Sequence, residues 1–185
     1  FAGDIIIEGR WSNSIRFGST AKTDSLLFGN NWSNSGENGD PITILRNGQP
    51  TDVVDNGFIP IVEDINKDLS SLYLTSKQTI PLISPITSFP AFTTPPESIT
   101  SFAGSQVILN SDRLLFNTKA DSIIFNSSQH ISISSVQSVG MYSKEGDITI
   151  QPSKGKVKLG DINASQSVIL GDNFIDDFQN LLNKL

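Results

Sequence analysis

The 185-residue chain contains no cysteine, which excludes a disulfide framework and any thiolate metal site. It holds one histidine, His130, so neither a histidine cage nor a Ser-His triad can assemble within a single chain. Charged residues make up only 17% of the sequence, and the net charge of −6 leaves no basic footprint for nucleic acid or anionic lipid. No run approaches the ~18–20 apolar residues of a membrane-spanning helix. No glycine-rich loop follows a strand and opens a helix, so a phosphate cradle is missing too. Position 1 is Phe1, without a methionine or the basic-then-apolar pattern of a signal peptide, and the chain reads as a piece of a longer protein.

What is present is an unusual density of serine, asparagine, threonine and isoleucine, a mixture that favours strands and turns over helices. The length suits one domain or two small ones. The dominant pattern is a doublet, apolar-x-apolar, followed by a short polar spacer. Its seven copies are Val107/Leu109, Leu114/Phe116, Ile123/Phe125, Ile131/Ile133, Val139/Met141, Ile148/Ile150 and Val157/Leu159, starting 7, 9, 8, 8, 9 and 9 residues apart. A doublet is the shortest piece of strand that points two side chains to one side. The residues between are apolar early (Ile108, Leu115, Ile124) and polar or small later (Ser132, Gly140, Thr149, Lys158). Early doublets should therefore be covered on both faces and later ones on one face only.

Four regions follow from this pattern. Residues 1–60 form a small antiparallel β region with long loops, with strands expected at Ile5-Ile6-Ile7, Ile15-Arg16-Phe17, Leu26-Leu27-Phe28 and Ile42-Thr43-Ile44-Leu45. Residues 61–104 hold Leu72/Leu74 and Ile80/Leu82, read as the first units of the same stack. They also hold an insertion from Ile83 to Gly104, where Pro85, Pro90, Pro95 and Pro96 forbid an interior ladder. Its Phe89, Phe92 and Phe102 need burial, and packing over the early doublets would supply it. Residues 105–172 are the repetitive shaft. Residues 173–185 form an amphipathic helix, N-capped by Asp172 or Asn173, whose Phe174, Phe178, Leu181 and Leu185 are spaced 4, 3 and 4 as in a coiled-coil seam.

One narrow apolar stripe is a poor core for one chain. A single-chain coil with three doublets per rung would have two to three rungs and two open edges. Three chains around an axis bring three stripes to one centre, pair their edges with each other, and let the terminal helices clasp. The expected fold is therefore all-β: short antiparallel strands leading into an intertwined trimeric β-helix or β-prism, ending in a short C-terminal helix. All seven doublets, with Phe174, Phe178, Leu181 and Leu185, are its expected trimer core and interface. An ordinary antiparallel sandwich is the competing arrangement, since turns every 8–12 residues are normal there as well.

Several strings carry a resemblance. They are Gly3-Asp4-Ile5-Ile6-Ile7-Glu8-Gly9-Arg10, Asn13-Ser14-Ile15-Arg16-Phe17-Gly18-Ser19, Gly36-Glu37-Asn38-Gly39-Asp40-Pro41-Ile42, Arg46-Asn47-Gly48, Glu63-Asp64-Ile65-Asn66-Lys67-Asp68, Ile108-Leu109-Asn110-Ser111-Asp112-Arg113 and Val168-Ile169-Leu170-Gly171-Asp172. In these the chain resembles the baseplate hub and central-spike proteins of contractile-tailed, T-even-like phages. The resemblance implies a homotrimer on the tail axis, with an oligonucleotide-binding-type β-barrel preceding a triple-stranded β-helix that helps breach the host envelope. It implies a virion structural protein, assembled in the bacterial cytoplasm, whose partners are its own copies and other tail and baseplate proteins, with host-envelope contact and no nucleic acid. Some members carry a lysozyme domain; its acidic constellation has no counterpart here, where Phe17 stands at the spacing from Glu8 that an Asp would occupy. The chain ends in a helix rather than a metal-bound tip, so a shaft or connector is the segment implied.

Catalytic, cofactor and metal residues are expected to be none. Asp176 and Asp177 are adjacent on a helix, face different ways and read as cap charges. Asp4/Glu8 and Glu63/Asp64/Asp68 lack calcium-loop spacing. The Lys154/Lys156/Lys158 alternation reads as a solvated strand face, His130 as a surface turn, and Trp11 and Trp32 as packing residues. Two further classes stay open: a receptor-binding tail fibre or adhesin gripping glycans, and a polysaccharide-degrading tailspike.

Overall fold

Alternation of buried and exposed residues runs along the central strands of the molecule. Strand β2 (Asn13–Thr20) buries Ser14 and Arg16 while Ile15 and Phe17 stay exposed, and β3 (Asp40–Asn47) buries Ile42, Ile44 and Arg46. With β1 (Ile5–Glu8), β4 (Ser70–Leu74) and β5 (Val107–Ser111) they form one five-stranded sheet in the order β1-β2-β3-β4-β5. Every neighbouring pair is antiparallel. The structure is a computed structural model that describes residues 3–22, 30–34, 39–49, 63–155, 157–160 and 171–184, the side chains of 171–175 excepted. It divides into two units, Phe1–Thr87 with Glu97–Ile131, and Ser88–Pro96 with Ser132–Leu185.

The sheet lies in the first unit, and irregular chain covers one of its faces. A turn at 63–69 is set by Asp64, whose carbonyl accepts from the Lys67 and Asp68 amides and whose Oδ1 accepts from the Asn66 amide at 3.0 Å. This local carboxylate-to-backbone bonding is what favours Asp at turns. The turn delivers Ile65 into a core with Ile42, Ile44, Tyr73, Ile80 and Ile108, against which Trp32 and Leu82 pack. Asn66 ties the turn to the next segment: its Nδ2 donates to the Pro81 carbonyl (2.7 Å) and its Oδ1 accepts from the Ile83 amide (2.8 Å). Gln78 is fully buried; its Nε2 donates to Thr20 Oγ1 and the Asp40 and Pro41 carbonyls, and its Oε1 accepts from the Ser76 and Lys77 amides. After β3 the chain turns at Gly48, at φ +69°, where a Cβ would stand 2.9 Å from Leu69 Cδ1. Glycine alone suits that position.

An all-β architecture with a C-terminal helix is thus present, with some boundaries moved. Leu72/Leu74 is not the first unit of a stack but β4, because its alternation registers with β3 at Leu45↔Leu72 and Thr43↔Leu74. Ile80/Leu82 forms no strand; Ile80 is drawn into the core instead. The five described strands make a meander, and among the described residues no pairing joins β1 to β5 as a barrel would need. The segment 83–104 is irregular, as its prolines require. Phe89 and Phe92 are half-buried there, and within the first unit Phe102 stays exposed and does not cover Leu115 or Ile124, which are exposed too. In the second unit, α1 (Gly171–Leu182) starts before the expected Asp172 or Asn173 cap. The strand expected at Leu26-Leu27-Phe28 and the last seam residue, Leu185, lie outside the described residues.

Ile44 is fully buried at the centre of the core. Ile44→Ala is expected to lower stability by about 2–5 kcal/mol. A denaturation midpoint that falls at unchanged slope checks this, with Lys77→Ala as an exposed control expected to shift by no more than about 0.5 kcal/mol.

Candidate interaction surface

Register decides which side chains share a face. On the covered face Arg16 and Arg46 sit among the core residues, and each is neutralised. Arg16 Nε and Nη2 donate to Asp4 Oδ2 at 3.0 and 2.7 Å, Nη2 also donates to the Ser19 carbonyl, and Nη1 pairs with Glu63 Oε2. Burial works against the charged form of Arg16, but the Glu63 and Asp4 carboxylates outweigh it and hold its pKa above the ordinary value. Arg46 donates to Asp68 Oδ1 from Nε (2.8 Å) and from Nη2 (2.7 Å), and the Tyr73 hydroxyl donates to Asp68 Oδ2 (3.0 Å). Both partners of the second pair are essentially inaccessible to water. Removing one member of such a pair strands a buried charge, so these networks clamp the 63–69 turn onto β2 and β3.

The seven doublets present the opposite situation. Val107/Leu109 lies on β5; from 112 to 160 the described residues form no strand, and every one described from 112 to 155 is exposed. In the first unit the exposed doublet side chains are Val107, Leu109, Leu114, Phe116, Ile123, Phe125 and Ile131; in the second they are Ile133, Val139, Met141, Ile148, Ile150 and Leu159. Their exposure runs from 44% at Ile123 to 74% at Ile133, and Val157 is half-buried. This stretch carries local turn contacts, such as the Gly146 amide to Ser143 Oγ at 3.2 Å. Backbone that joins no ladder must satisfy its N–H and C=O groups with another strand or with water. On α1, Phe178, Leu181 and Leu182 are exposed too.

The remaining candidates fall into place around these features. Asp4, Glu63 and Asp68 are engaged by arginines, and Asp64 pairs with Lys67 at 3.2 Å. Among the described residues no three acidic or histidine side chains cluster as a metal site would need. His130, Asp176, Asp177, Lys154 and Lys158 are exposed, while Lys156 lies outside the described residues. Trp32 packs on Tyr73 with ring centroids 6.0 Å apart and planes at 46°, a core contact. Trp11 is exposed, with the Arg10 guanidinium 5.3 Å from its ring centre. The two arginine networks and Gln78 were not visible as core in the sequence; the only signal was the alternation that puts Arg16 opposite Ile15 and Phe17.

No family model, curated protein or solved structure matches this chain.

Burial first, then the Asp68 charge, raises the Tyr73 hydroxyl above its ordinary pKa of 10.0. A raised folded value means that the folded state holds this proton more tightly than the unfolded chain. The contribution is complete below pH 10.0 and is lost as the pH climbs past it. Stability is therefore expected to fall above pH 10.0 with a component on the order of 1 kcal/mol per pH unit. Tyr73→Phe should be less stable near neutrality yet show a flatter decline in that window; parallel slopes in denaturation at graded pH would contradict the assignment.

Proposed function

We propose that this chain is a virion structural protein, a trimeric hub or central-spike shaft in the baseplate of a contractile-tailed phage, acting without catalysis of its own. One observation carries the reading. A stretch that forms no strand beyond Ser111 bears apolar doublets at near-constant spacing, and within one chain nearly all of them face water. Water-exposed Ile, Leu and Phe at this density favour association, at about 1.5–3 kcal/mol for each side chain fully covered. The strings that resemble those of phage hub and spike proteins, residues 3–10 and 13–19 among them, support the same reading from the sequence.

Three copies meet the physical need. Three stripes converge on one axis, strand edges pair between chains, and three amphipathic helices clasp the end through Phe178 and Leu181. Chains interlocked in this way come apart only together, which suits a part that transmits contraction force towards the host envelope. A receptor-binding fibre is the second class, but neither tryptophan favours it: Trp32 is committed to the core and Arg10 already covers a face of Trp11.

Gold-labelled antibody against the chain, applied to particles of the phage that encodes it, tests the placement. Label at the baseplate end on the tail axis is the expected result. Label on lateral fibres would move the assignment to receptor binding, and label on heads or nowhere would overturn the tail reading.

A further inference from the structure

The face of the sheet turned away from the core has a composition that a lone subunit would not keep in water. Paired positions run across all five strands in two rows, Ile7–Ile15–Leu45–Leu72–Leu109 and Ile5–Phe17–Thr43–Leu74–Val107. Nine of these ten positions are apolar and none is charged. Exposure runs from 37% at Ile15 to 70% at Val107, and only Leu72 and Thr43 are half-buried. The arginines and their carboxylates occupy the other face, so turning the sheet over is not an escape.

We infer that this open apolar face is an interface between copies of this chain. Three observations choose a second copy as the occupant. The exposed apolar side chains of the face run in two rows across all five strands, a continuous patch of the kind that interfaces between subunits cover. Its ten positions carry no charge that would call for a complementary charged partner, and in a trimer three such faces can converge on the common axis. Both rows end on Val107 and Leu109, the first doublet of the repeat. Leu114 of the next doublet lines the same hollow of about 670 Å³ as Ile7, Ile15, Leu45 and Leu72. Copies gathered along the doublets therefore bring these faces together at a high effective concentration. The inference rests on the trimeric reading for the number of copies and adds to it the β-sheet region, which the doublet repeat alone does not involve.

The cysteine-free sequence gives a clean background for the test. Leu45→Cys and Phe17→Cys place thiols in the two rows, and Lys77→Cys places one at an exposed control position. Each full-length variant is reacted with a charged maleimide, native and unfolded, while light scattering reads the mass of the native species. In a trimer, both row thiols are expected to react about tenfold slower than the control, and to do so in two variants so that one misfolded substitution does not decide the result. A trimeric mass with row thiols as reactive as Lys77→Cys would overturn this interface and leave the trimer standing. A single-chain mass would overturn both, and protected thiols at that mass would mean that the chain covers its own face.

Discussion

A β-strand cannot send consecutive side chains to the same side, and that constraint governs this molecule. Along β2 and β3 the alternation sets arginine against isoleucine, leucine and phenylalanine, so one face of the sheet must take the charges and the other the exposed apolar rows. The core-forming turn and the 78–83 segment cover the face that holds Arg16 and Arg46. The apolar rows are left outward. The doublets downstream follow the same rule in its barest form, two apolar side chains to one side and a spacer residue to the other.

The buried ion pairs explain why this choice of face is held. A buried salt bridge contributes little net stability, because desolvation offsets most of the attraction, but breaking one leaves a buried charge at a cost of several kcal/mol. A one-residue slip of β2 or β3 would exchange the faces, exposing the cover to isoleucine and leaving Asp4, Glu63 and Asp68 without their arginines. Register is therefore specified by charge on one side of the sheet. The apolar side is free to serve as a surface, and it runs into the doublet stripe at Val107 and Leu109.

Strands β1, β2 and β3 were legible because each is a short isoleucine-bearing run bounded by Gly, Asn or Pro. The helix was legible from its 4-3-4 spacing and acidic first turns, although its start lies two residues before the expected region. Leu72/Leu74 was legible as strand but not as a member of this sheet, since its eight-residue offset from Ile80/Leu82 mimics the doublet spacing and only the register with β3 separates the two. Ile80 and Gln78 could not be placed from sequence: their burial depends on Thr20, Asp40 and the 63–69 turn, which are distant along the chain. Arg16 and Arg46 were hidden for a different reason. Arginine on a strand ordinarily marks the solvent side, and here the partners that bury it come from Asp4, Glu63 and Asp68. The doublet spacing was plain because it needs no tertiary context, yet among the described residues only Val107/Leu109 forms a strand within one chain.

In the proposed assembly these apolar stripes find cover between chains. Sedimentation equilibrium of the purified full-length chain over a range of micromolar concentrations tests it most directly. A mass three times the 20.0 kDa of one chain, unchanged on dilution, is the expected result. A stable species of 20.0 kDa would contradict it.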